Sequence, residues 1–88
     1  MVRFFDSAFK HCLTATQIRE ALADPFRIYE ELEDDGEGNP QDLTIGKTHA
    51  EVILEVGVKY KTDEECVFHA DEANATRKDR YNKEGRRR

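Results

Sequence analysis

The chain holds a single serine, Ser7, two cysteines without CxxC spacing, Cys12 and Cys66, and no apolar run long enough for a signal peptide or a membrane span. One serine removes most Ser-His-Asp readings. There is no glycine loop with lysine for nucleotide phosphates and no HExxH pair for zinc. The acidic run from Glu30 to Glu37 lacks the EF-hand spacing that ends in a glutamate at the twelfth position, so it reads as a solvated loop. With no thiol cluster, the expectation is a reduced cytoplasmic protein with buried cysteines, no metal and no cofactor.

What is present fits one domain spanning residues 1–88. A chain of this size buries only about 60 to 65 per cent of its unfolded surface, so a partner can supplement a small core. Hydrophobic and charged residues each make up 38% of the chain, on the polar side of globular, but the apolar residues are periodic and argue against disorder. The net charge of −5 conceals an asymmetry. Residues 1–76 carry seven Lys/Arg against seventeen Asp/Glu, a balance of −10, while residues 77–88 carry seven against two, a balance of +5. A short basic segment on an acidic body is a candidate for phosphate binding. Arg86, Arg87 and Arg88 read equally well as a solvated tail.

Along the chain, Val2 to Phe5 suits an edge strand, and Phe5, Ala8, Phe9 and Cys12 have the spacing of a short helix behind Asp6 or Ser7. Thr14 and Gln17 fit a capping box, with Leu13 and Ile18 as its hydrophobic staple. The spacing predicts a helix over 15–24, ended by Pro25. From Phe26 the period becomes two. Phe26, Ile28 and Leu32 form one strand, Leu43 and Ile45 a second, Val52, Leu54, Val56, Val58 and Tyr60 a central third, and Cys66 to Ala70 a short fourth. Short connections predict an antiparallel meander of three to four strands. The expected core is Ile18, Leu22, Phe26, Ile28, Leu43, Ile45, Val52, Leu54, Val56 and Val58. The last helix starts near Asn74 and stops at Gly85. Ala73, Ala75 and Tyr81 are too few to bury a stripe, so it either frays or lies over the sheet with its cations aimed at a ligand.

RNA cleavage without a metal needs a base near the 2′-hydroxyl, cations around the phosphorane and an acid for the leaving oxygen. Lys10, His11, His69, Arg77, Lys78, Arg80 and Tyr81 offer these groups, and one cleft between sheet and helix could gather them. A lone strand histidine is more often structural, and Tyr81 also suits a packing anchor. His49 falls in a turn and is expected at the surface.

Lys10-His11-Cys12-Leu13-Thr14, followed by an amphipathic helix and Asp24-Pro25, resembles the Lys-His-Gly-Val-Ser, helix, Asp-Pro opening of BrnT-like toxins. Ile45-Gly46-Lys47-Thr48, His69-Ala70 to Ala73-Asn74 and Arg80-Tyr81 resemble that family's Ile-Gly-Arg turn, final strand and helix. Cys12 stands where the family has glycine, and Asp71-Glu72 where it tends to place basic residues. The resemblance implies a RelE-like α+β fold: N-terminal helices packed on the meander, with a C-terminal basic helix. It further implies the toxin of a type II toxin–antitoxin system, a metal-independent endoribonuclease acting on messenger RNA. A cognate antitoxin would silence it, with room for a higher-order assembly. The site would then comprise His69, Arg80, Tyr81, Lys10 and His11, with Arg77, Lys78 and Lys83 binding RNA.

A second function class stands beside this one: a catalytically silent protein-binding module that uses an exposed sheet edge and the basic helix. Salt separates them. If four or five cations of residues 77–88 each hold a phosphate, log affinity for single-stranded RNA falls against log salt with a slope of about −3. A flat response in filter binding would take the helix out of RNA recognition.

Overall fold

The chain order follows from its caps and periods. A computed structural model describes residues 2–85. Thr14 Oγ1 accepts from the Gln17 amide at 3.1 Å and Gln17 Oε1 from the Thr14 amide at 2.8 Å, closing the capping box. These bonds start α1, Ala15–Leu22, which ends at the Ala23 cap, two residues short of the expected Asp24. Before it lie β1, Val2–Phe4, and a 3-10 helix, Asp6–Phe9. After it come β2, Ile28–Leu32, β3, Gln41–Lys47, β4, Ile53–Lys61, and β5, Glu64–Glu72. The chain closes with α2, Ala75–Glu84, capped by the Asn74 side chain, which accepts from the Arg77 amide at 2.9 Å.

The fold is α+β, but the sheet is not a three- to four-stranded meander. Five strands lie in the order β1-β5-β4-β3-β2. Strands β2 to β5 pair as antiparallel neighbours, and β1 adds itself to β5 in parallel, with Val2 opposite Glu65 and Phe4 opposite Val67. Local periodicity identifies a strand and says nothing about a pairing to the far end of the chain. The short 3-10 helix also replaces the expected first α-helix: it buries Ala8, while Phe9 is 40% exposed and Cys12 lies at the surface. Of the two thiols only Cys66 is buried, and both are free.

The core occupies both faces of the sheet. On one, Ile18 and Ala21 of α1 and Ala8 pack on Leu54, Val56, Val58, Val67 and Ala70. On the other, Tyr81 of α2 and Ala73 pack on Ile28 and Ile45, with Ile53 beside them. Sequence alternation cannot show that a second face is covered, which is why Tyr81 and Ala73 escape the expected core; Val67 and Ala70 escape it because a register shift in β5, with Val58 opposite Val67 but Gly57 opposite His69, breaks the period of two and turns both to the first face. Phe26 and Val52 leave it, at 47% and 38% exposure, because β2 begins at Ile28 and β4 at Ile53. Leu22 is only partly buried. Residues 86–88, read as a tail, lie outside the described residues.

Gly46 sets how closely α1 approaches β3. A Cβ there would fall 2.1 Å from the Ala21 carbonyl oxygen, a backbone atom that cannot step aside without moving the helix. Gly46→Ala is expected to cost about 3 kcal/mol, the upper part of the overpacking range. Leu54→Ala, a plain cavity, should cost about 2 to 5 kcal/mol. Urea denaturation reads both, and a wild-type midpoint for Gly46→Ala would dismiss the close approach.

Candidate functional site

Helix α2 is too polar to hold itself on the sheet by apolar area, and a buried carboxylate supplies the missing attachment. Asp24, 8% exposed, accepts from the Phe26 amide at 2.9 Å and the Lys47 amide at 2.7 Å, and the Tyr81 hydroxyl donates to it as well. The end of α1, the end of β3 and the middle of α2 therefore meet on one side chain. Burial pulls the Asp24 carboxyl upward, but the Tyr81 hydroxyl, the two amides and the Lys47 charge together hold it below its ordinary value. Lys47 Nζ also lies 5.5 Å from the Tyr81 ring centroid. The structure thus places Tyr81 in the seat of α2, with its hydroxyl on Asp24.

A β-bulge delivers His69. Gly57 pairs with His69 and Val58 with Val67, so Phe68 is an extra residue that shifts the register of β5. Gly57 makes room for it, since a Cβ there would stand 2.8 Å from Phe68 Cζ. The only serine of the chain fastens the bulge: Ser7 Oγ donates to the Phe68 carbonyl at 2.6 Å. That bond anchors the 3-10 helix beside β5, and a left-handed turn at Cys12, φ 64, follows it. His11 consequently lands against His69, the rings 5.9 Å apart and edge-on at 80°.

Each histidine has a carboxylate. His69 Nε2 lies 3.0 Å from Glu55 Oε2, and since a carboxylate only accepts, this nitrogen carries the hydrogen and Nδ1 is left to take up a proton. His11 Nδ1 stands 3.8 Å from Asp71 Oδ2, a charge pairing when the ring is protonated. Glu55 continues the network, its Oε1 accepting from Arg77 Nη1 at 3.2 Å. Arg77 forks onto Glu30 at 3.0 and 3.1 Å, and Arg80 reaches Glu30 at 3.2 Å and Glu84 at 3.0 Å. The Arg77 hydrogen bond and the two guanidinium charges hold the Glu30 carboxyl below its ordinary range, against some burial.

The cations of α2 therefore meet their own sheet and helix. Lys78 pairs with Glu72 and Lys83 with Asp79, the latter at 3.0 Å on the exposed side. The structure brings together His11, His69, Arg77 and Arg80 in one chain of contacts. Tyr81 turns to Asp24 instead, and Lys78 and Lys83 sit outside the network. Lys10 is exposed and has no carboxylate partner among the described residues. His49 is at the surface as expected, its ring 3.3 Å from Glu20.

Three carboxylates that organise the site have no counterpart in the sequence reading. Glu55 reads as the wet side of β4, Glu30 as part of a solvated acidic loop, and Asp24 as a helix terminus. The period of two through Ile28, Glu30 and Leu32 was the available signal for Glu30, since it places Glu30 on the strand face that α2 covers. No residue spacing points to Glu55 or Asp24, whose partners come from distant segments.

Asp24 and Glu30 ionise below their ordinary values of 3.8 and 4.5 in the folded chain. Both then bind fewer protons folded than unfolded, so their stabilisation is complete above those values and drains away as pH falls through the lowered folded ones. Asp24→Asn is expected to lose about 1 to 3 kcal/mol at neutral pH and to unfold less steeply in acid. Denaturation midpoints between neutral pH and pH of about 2 check both signs, and an unchanged acid slope would remove Asp24 from its role.

Among the described residues, no helix is long and apolar enough to cross a membrane, and no group of three or more His, Cys, Asp or Glu side chains is arranged to hold a metal ion. No family model and no curated protein matches the chain.

Proposed function

We propose that the chain is a metal-independent endoribonuclease of the toxin type, working in the cytoplasm on messenger RNA and restrained by a cognate antitoxin. The approach of His11 and His69 carries this reading. Two residues 58 positions apart in sequence stand ring to ring, partly open to solvent and each with its own carboxylate. In the reaction His69 takes the 2′-hydroxyl proton through Nδ1, the 2′-oxygen attacks phosphorus, and the bond to the 5′-oxygen breaks. His11 gives its proton to that leaving oxygen, and a 2′,3′-cyclic phosphate remains. Lys10 is free to meet the phosphate. Arg77 and Arg80, in a shallow depression of about 400 Å3 with Glu30, Asn74 and Thr76, stabilise the phosphorane once phosphate displaces the Glu30 carboxylate.

One observation favours the second reading, a silent protein-binding module. All four described cations of α2 are paired within the chain, Lys78 with Glu72 among them, and Asp71 lies beside His11. A phosphate has to compete with those carboxylates.

Purified protein with RNA at low salt separates the two. His69→Ala and His11→Ala should each slow cleavage by about 10²-fold or more while leaving the fold intact. Glu30→Gln should tighten RNA binding, because it removes the one carboxylate that both guanidinium groups share. Expression should slow bacterial growth, and His69→Ala should relieve it. Folded histidine variants as active as the parent would move the chemistry elsewhere; a parent that cuts nothing would leave the module reading standing.

A further inference from the structure

Strand β2 is an edge of the sheet, and among the described residues it has no neighbour on its outer side. Natural edges are usually blunted by bulges, prolines or charged side chains, lysine above all. Here Tyr29, Glu30, Glu31 and Leu32 run without bulge, proline or lysine, their charge is wholly acidic and so repels only partners of like sign, and Tyr29 is 46% exposed. Beside the edge, on the sheet face opposite His69, opens a groove of about 510 Å3 formed in part by Tyr29, Glu31, Pro40, Asp42 and Tyr60. Its floor is preorganised: the Tyr60 hydroxyl lies 3.0 Å from both oxygens of Asp42.

The charge selects the occupant. Two copies of β2 paired across a two-fold would set Glu30, Glu31 and Glu33 against their own kind, and like charges directly opposite one another destabilise a strand pair. Glu31 and Glu33 have no cation partner among the described residues. Arg27 already lies 5.7 Å from the Tyr29 ring centroid and donates to its hydroxyl at 2.6 Å, so an incoming guanidinium or ammonium group is suited to pair with the Glu31 and Asp42 carboxylates beside the two phenols. Burial, with the neighbouring Glu65 charge, pushes the Asp42 carboxyl up against the opposing Tyr60 bond, so an arriving cation would relieve it.

We propose that the β2 edge is a docking surface for an extended basic segment of another protein. That segment adds a sixth strand beside β2 and lays an Arg or Lys side chain into the groove between Tyr29 and Tyr60. The surface lies across the sheet from the histidines, so it stands whether or not the chain cuts RNA.

A short peptide alternating Arg and Val, titrated into isotopically labelled protein, tests it. Amide shifts are expected at Tyr29, Glu31, Leu32, Asp42 and Tyr60, with affinity falling as salt rises. Replacing its Arg by Glu should abolish binding. Glu31→Lys should weaken binding by about tenfold or more with an unchanged thermal melt, whereas His69→Ala should leave it untouched. Equal binding of the Glu peptide, shifts confined to α2 and β5, or no binding at all would overturn the proposal. So would displacement of the peptide by an RNA oligonucleotide, or sedimentation as a dimer whose interface protects β2 amides from exchange.

Discussion

The carboxylate of Asp24 is the interaction on which the remaining architecture rests. A helix with as few apolar residues as α2 buries too little surface to stay on a sheet, since each buried methylene is worth only about 0.8 kcal/mol. One buried acceptor with donors from Phe26, Lys47 and Tyr81 replaces that missing area with directional bonds. Direction matters here. Fixing Tyr81 fixes the rotation of α2 about its axis, and the helical period then places Arg77 and Arg80 over Glu30. Without the Asp24 seat the same cations would sweep freely through solvent.

The basic helix and acidic body of the linear charge map are folded onto one another. Viewed as sequence, the asymmetry invites a polyanion; viewed in three dimensions, much of it is spent on internal pairing. Such pairs contribute little individually where they are exposed. The partly buried Glu55–Arg77–Glu30 link is different, because leaving any member alone under α2 would strand a charge. The same link couples the helix to His69 through Glu55, so His69 and the cations share one scaffold.

Local order was legible and long-range order was not. The Thr14 box, the Asn74 cap, the Gly85 stop and the alternation of β4 are short-range signals, and each element formed where they point. The parallel β1–β5 pairing, the bulge at Phe68 and the second covered face of the sheet depend on contacts across most of the chain, to which periodicity is blind. The site divides in the same way. His11, His69, Arg77 and Arg80 are recognisable by residue type, whereas the carboxylates that orient them look like ordinary surface acids until the strands are in register. Tyr81 is a side chain whose two readings, reagent or anchor, residue type could not separate; the bond to Asp24 gives the anchoring reading its partner.

The link between Ser7 and Phe68 spans 61 residues, and the β1–β5 ladder closes a loop of similar size. Contacts of such sequence separation form late, because the entropy of closing the loop has to be met before they return anything. During synthesis the β2–β3 hairpin is made before β4, and β5 follows β4 after only two residues. His11 waits for a strand made 58 residues after it, so a nascent chain interrupted before β5 carries His11 without the ring it meets. Whatever chemistry the pair performs requires β5 to be in place.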